Sequence, residues 1–286
     1  MTGKFLAAAL LFGLAIVAGE LAKGGAHRTA AASPAACHPA PAFAAAAQQN
    51  TTTLRTAAWS VFHRAETGWE IYAPLIAHEI GVDCAGDSEG FAAALAAWQG
   101  AHRLPPSGVM DEATLQALNQ VWLNRRPFVA ASAHGACPAP PAVLALTTAN
   151  EAYGGQPVQL RAGALAAYRR LVAAARADER AVAAEPRLLT IFSGYRDPAA
   201  DAARCVVERN CGTATRAICS AHRTGLAMDL FLGAAPGYPP DSSADPNRLY
   251  LSRSTAYLWM IRHAADFGFV NYPFEPWHWE WTGEAP

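Results

Sequence analysis

The chain predicts an α+β fold, a small and mostly antiparallel sheet flanked by helices and preceded by a small three-helix domain. Three observations predict it. Apolar residues recur at helical spacing from Trp59 to Ile80, again across 91–118, and again across 160–176. Short apolar or alternating runs at 187–192, 227–232 and 277–281 have the length and period of strands. Ala/Pro-rich stretches at 23–56 and 127–149 punctuate these regions.

The reading in chain order begins with Lys4 ahead of an apolar run from Phe5 to Gly19, which predicts an export signal or N-terminal anchor over 1–22. The next stretch, 23–56, reads as a flexible tether. A helical domain is expected over 57–126. Within it, a helix carrying Phe91, Leu95 and Trp98 stops at Leu104-Pro105-Pro106-Ser107-Gly108, and a second starts after Asp111 and buries Leu115 and Leu118. Residues 127–149 are expected as a linker, held by a disulfide through Cys137.

The remaining domain is expected over 150–286. Leu165, Tyr168, Leu171 and Val172 mark one face of a helix over 160–176. A buried strand over 187–192 feeds Ser193-Gly194-Tyr195-Arg196, and Pro198 opens the next helix. Period two puts Asp229 opposite Met228 and Leu230, and His278 and Glu280 opposite Trp277, Trp279 and Trp281. A helix over 254–267 ends at Gly268.

A formal net charge of −1 and the lack of any Lys/Arg run argue against nucleic acid as a partner. Six cysteines fit an oxidising compartment, and six allow fifteen pairings. Cys219-x-x-His222 has metal-ligand spacing, but a disulfide pinning the insertion between Cys205 and Cys219 is favoured, since His222 cannot serve two metals.

The chemistry concentrates in Ser220-Ala221-His222-Arg223-Thr224-Gly225-Leu226-Ala227-Met228-Asp229 and Glu275-Pro276-Trp277-His278. Two imidazoles and one carboxylate make the ligand set of a catalytic Zn2+ with an open position for water. Glu275 is a spare carboxylate nearby, suited to general-base work. His78-Glu79 begins the H-E-x-x-H signature, but position 82 is valine and the second ligand is missing. His27, His38, His63, His102 and His134 have no partners at ligand spacing, and His263 reads as packing.

The two motifs resemble those of the VanY-type zinc D-alanyl-D-alanine carboxypeptidases, in a group that also holds phage L-alanyl-D-glutamate endopeptidases. The shared pattern is S-x-H-x-x-G-x-A-x-D, then E-x-W-H, with S-G-Y-R upstream, and every fixed position is present. The resemblance implies His222, Asp229 and His278 as zinc ligands and Glu275 as general base. It implies Arg196 as oxyanion stabiliser or substrate-carboxylate ligand, and Ser220 as a substrate contact. One departure stands out, because carboxypeptidases of this type commonly continue with an aromatic and then arginine, where this chain has Trp279-Glu280. The 91–118 segment resembles the second half of a small three-helix peptidoglycan-binding domain. Trp98-Gln99 stand for F-Q and Ser107-Gly108 for T-G. The expectation is an exported, monomeric zinc peptidase of the periplasm or cell envelope, acting on peptidoglycan stem peptides and held on the wall. Its N-terminus is a possible membrane anchor. An endopeptidase and a non-catalytic wall-binding protein are the alternatives.

Overall fold

A four-stranded antiparallel sheet supports the second half of the chain. Its strands are β1 (Ile191–Ser193), β2 (Ala227–Leu230), β3 (Phe269–Tyr272) and β4 (Glu275–Trp281), in spatial order β1-β2-β4-β3. The structure is a computed structural model that describes residues 35–208 and 219–286. The export signal or anchor expected over 1–22 and His27 lie outside the described residues. Among the described residues, no helix is long and apolar enough to cross a membrane.

Ten helices surround this sheet and precede it among the described residues. In the first half run α1 (Ala44–Thr56), α2 (Ala73–Glu79), α3 (Glu89–Ala101), α4 (Glu112–Asn124) and α5 (Pro127–Ser132). In the second half run α6 (Ala162–Asp178), α7 (Arg180–Ala184), α8 (Pro198–Glu208), α9 (Asp245–Ser252) and α10 (Thr255–His263). α10 passes into a 3-10 turn, Ala264–Phe267, that Gly268 ends. The predicted cap at Asp111 forms, its side chain accepting from Thr114 N at 2.8 Å, and Ser88 caps α3 by accepting from the Phe91 amide.

The turn between α3 and α4 shows how the first half closes. Gly108 sits at φ 71°, and a Cβ there would meet the Ala92 carbonyl at 2.5 Å, so only glycine fits. Gln99 Oε1 accepts from Gly108 N at 2.8 Å, and Asn50 Nδ2 donates to Gly108 O at 2.9 Å. Asn50 lies on α1, within the stretch predicted to be a tether. Residues 44–56 are instead a helix that buries Ala46, Ala47, Asn50 and Leu54. Apart from Leu54 its buried stripe is made of small and polar side chains, which a hydrophobicity pattern does not register. The Cys37–Cys84 disulfide ties down the chain just before it.

The stretch expected as a linker, 127–149, contains α5 and a short strand, Ala145–Leu146, paired antiparallel with Gln159–Leu160. Phe128 of α5 packs on Cys219, Ala221 and Ala227. The main apolar core is continuous from Trp69, Leu95 and Leu115 to Leu165, Met228, Tyr257 and Trp279. A buried polar knot reinforces it. Arg248 Nη1 donates to Glu66 at 2.6 Å, its Nε donates to Phe274 O at 2.9 Å, and its Nη2 donates to the Tyr72 hydroxyl. The predicted strand at 187–192 shrinks to three residues because Leu189 turns out of register at φ 66°.

Candidate metal centre

His222 stands in a 3-10 turn, Ala221–Thr224, whose shape comes from both ends. Ser220 Oγ accepts from His222 N at 3.2 Å, and Gly225 closes the turn in the left-handed region at φ 69°. The ring is oriented by the backbone, since His222 Nδ1 lies 2.7 Å from Gly194 O. A carbonyl can only accept, so Nδ1 carries a proton and Nε2 is the ring nitrogen that faces the cleft and Asp229.

Asp229 on β2 is the cross-strand partner of His278 on β4 and of Ser193 on β1. Its Oδ2 lies 3.2 Å from His222 Nε2, and its Oδ1 lies 3.0 Å from His278 Nδ1. The three residues are buried, and one potential ligand atom from each falls within 4.8 Å of the others. Two chain segments far apart in sequence, the 222–229 motif and β4, thus converge on one point. Period two along β4 then places Glu280 on the face of His278, with Oε1 3.4 Å from His278 Nε2.

Burial alone would raise the Asp229 carboxyl, yet the charges and hydrogen bonds of His222 and His278 hold it well below the usual carboxylate range. Burial opposes protonation of His278, but hydrogen bonds to Asp229 and Glu280 and their charges lift it to about 9. Glu280 is held at about 2 against burial, chiefly by the Arg126 charge and by His278. Burial pushes the Glu275 carboxyl up. With a carboxylate at each of its ring nitrogens, His278 calls for positive charge on its Nδ1 side. A proton can supply that charge, and so can a divalent cation. Two imidazole nitrogens and a carboxylate oxygen within mutual reach fit zinc in ligand type and number.

The three residues line a cleft of about 460 Å³ together with Glu275, Arg196, Ser220, Tyr272, Arg64 and Arg126. Arg196 Nη1 donates to Ser220 Oγ at 3.1 Å and Nη2 to Ser193 Oγ at 3.3 Å, with Asp201 at 3.9 Å. Ser220 is engaged in capping the His222 turn. A larger cavity, about 930 Å³, opens beside Tyr153, Phe231 and Tyr250. Its Glu185 and Arg187 pair with each other, so chemistry rather than size identifies the site.

Cys219 is bonded to Cys137, not to Cys205. The bridge therefore fastens the His222 turn to the 127–149 segment, and Cys205 is disulfide-bonded as well. That leaves no thiolate at Cys219 for a second metal. Of the remaining histidines, His102 stacks on Trp98 with centroids 3.8 Å apart, and His263 lies 4.9 Å from Trp259. Arg126, Glu280, Arg64 and Tyr272 were not singled out from sequence as site residues. For Glu280 the signal was present, two positions after His278 on the same strand face.

Among known families, the model described as "Putative peptidoglycan binding domain" matches residues 87–118, which span α3, the Gly108 turn and the first half of α4. No curated protein matches the chain. The match supports the wall-binding part of the sequence reading and is consistent with cell-wall association.

Proposed function

We propose that the chain is an exported zinc peptidase that hydrolyses peptidoglycan stem peptides, foremost as a D-alanyl-D-alanine carboxypeptidase. The observation that carries this reading is the convergence of His222, Asp229 and His278 in one cleft with Glu275. His222 Nε2, His278 Nδ1 and an Asp229 carboxylate oxygen would hold the ion. When bound, zinc supplies a Lewis acid that polarises the scissile carbonyl and makes a water acidic enough to be deprotonated near neutral pH.

The chain's own residues do the rest. Glu275 takes a proton on its carboxylate and returns it to the leaving amine. The upward push that burial gives its pKa suits a group that must first accept a proton and then release it. The Arg196 guanidinium, held by Ser193 and Ser220, faces the same cleft and offers donors to an oxyanion or to a terminal carboxylate. The matched segment over 87–118 would keep the enzyme on its polymeric substrate and raise the local concentration of stem peptides.

A second reading is cleavage of an internal stem-peptide bond, and Glu280 favours it. The carboxylate stands where carboxypeptidases of this type commonly carry arginine. It is buried against Arg126 and outside the cleft lining, so what differs is the loss of that cation rather than a contact of Glu280 with substrate. Digestion of muropeptides followed by mass spectrometry separates the two readings. Loss of one terminal alanine identifies the carboxypeptidase, and a break within the stem identifies the endopeptidase. No product, or product formed equally in the presence of a chelator, would overturn the zinc peptidase.

A further inference from the structure

We infer that Glu280, held by Arg126 from the helical half of the chain, is a positioning residue for His278, so that the helical half is a structural part of the metal centre. This inference rests on the reading above that His222, Asp229 and His278 bind a divalent ion.

Three contacts carry it. Glu280 Oε1 accepts from Arg126 Nε at 2.7 Å, and the same pair closes to 2.6 Å through Arg126 Nη2. Glu280 Oε2 accepts from Phe128 N at 3.0 Å, at the start of α5. Glu280 Oε1 is also 3.4 Å from His278 Nε2. Glu280 is 1 % exposed and Arg126 8 % exposed, so this is a dry pair with few alternative geometries. The Arg126 guanidinium further lies 4.1 Å from the Tyr272 ring centroid, which fixes it over β3.

The consequence for His278 follows from ring geometry. A carboxylate at Nε2 holds the proton there, which directs Nδ1 and its lone pair toward Asp229 and the ion. Without Glu280 the Nε2 side of the ring loses its hydrogen-bond partner and the ring is free to flip. Without Arg126, Glu280 is a buried charge short of its main partner and has reason to move. The residue that departs from the carboxypeptidase pattern is thus matched by a cation from outside the sheet.

The test is zinc affinity of the full chain, measured by competition with a chromogenic chelator, for wild type, Glu280→Gln, Arg126→Gln and Arg125→Gln. Arg125 pairs with Glu79 on the surface and serves as the control. Glu280→Gln is expected to weaken zinc binding about 10- to 100-fold, with Arg126→Gln in the same direction and Arg125→Gln unchanged. Cobalt-substituted protein gives the second readout, since a misplaced His278 alters the visible absorption bands while general destabilisation does not. Melting of the metal-free proteins identifies any variant that fails to fold, and the remaining one then decides. Wild-type affinity and an unaltered cobalt spectrum in the folded variants would overturn the inference and leave the zinc peptidase standing. A wild-type protein that takes up no zinc would overturn both.

Discussion

At the scale of single residues, the site depends on carboxylates given different tasks by their surroundings. Asp229 lies between two imidazoles and stays ionised, whereas burial pushes Glu275 toward the neutral form. The first suits a ligand and the second suits a group that shuttles a proton. Glu275→Gln is expected to lower kcat by about 10²- to 10⁴-fold, with zinc content equal to wild type by elemental analysis. Loss of zinc in that variant would make Glu275 a ligand instead. Asp229→Asn, by contrast, is expected to lose zinc and activity together, because the amide keeps the shape and removes the charge. These residues were legible because each chemistry-bearing side chain sits at a fixed offset within a short motif. Glu280 was legible as an oddity, but its role needed Arg126, which is 154 residues away. No local pattern carries that pairing.

At the scale of elements, turns and caps place the groups. The His222 turn is fixed by Ser220, Gly225 and the Cys137–Cys219 disulfide. Replacing both cysteines by serine is expected to cost about 2–4 kcal/mol, read from urea unfolding, because the bridge closes a long loop. The same variant is expected to weaken zinc binding, since the bridge ends three residues before the ligand. A second cap gives a pH signature. Glu151 caps the 3-10 turn Ala149–Glu151 and pairs with Arg169 at 2.6 Å, which holds its carboxyl at about 2 against an ordinary 4.5. Its contribution is therefore present above pH 4.5 and is lost as pH falls toward 2. Solvent screening limits that contribution to about 1 kcal/mol or less. Glu151→Gln is expected to lower the urea midpoint at pH 7, with the gap narrowing below pH 4.5. A gap that stays constant with pH would show that the charge has no part. Among these elements, α3, α4, α6 and α10 were readable because each buries a stripe of large apolar residues. α1 was hidden because its buried face, Ala46, Ala47, Asn50 and Leu54, has only one large apolar side chain.

At the scale of the whole molecule, the helical half and the sheet share one core. The described residues belong to one compact unit, and Arg248 joins Glu66 and Tyr72 to the carbonyl just ahead of Glu275. Arg248→Met removes one partner of a buried pair and leaves Glu66 uncompensated. The expected cost is about 3–5 kcal/mol, with one cooperative unfolding transition in both wild type and variant. Two separate transitions in the wild type would contradict the shared core. Composition shifts predicted a linker at 127–149 because Ala, Pro and Ser dominate it. They could not reveal that Phe128 and Cys137 dock beside the His222 turn.

The proposed reaction is a zinc-dependent cut in a peptidoglycan stem peptide. The most direct measurement is mass spectrometry of a muropeptide ending in D-alanyl-D-alanine, incubated with the full chain before chelation, after chelation, and after zinc is restored. Loss of a single alanine is expected, abolished by the chelator and recovered with zinc. An intact substrate under all three conditions, or the same product in each, would contradict it.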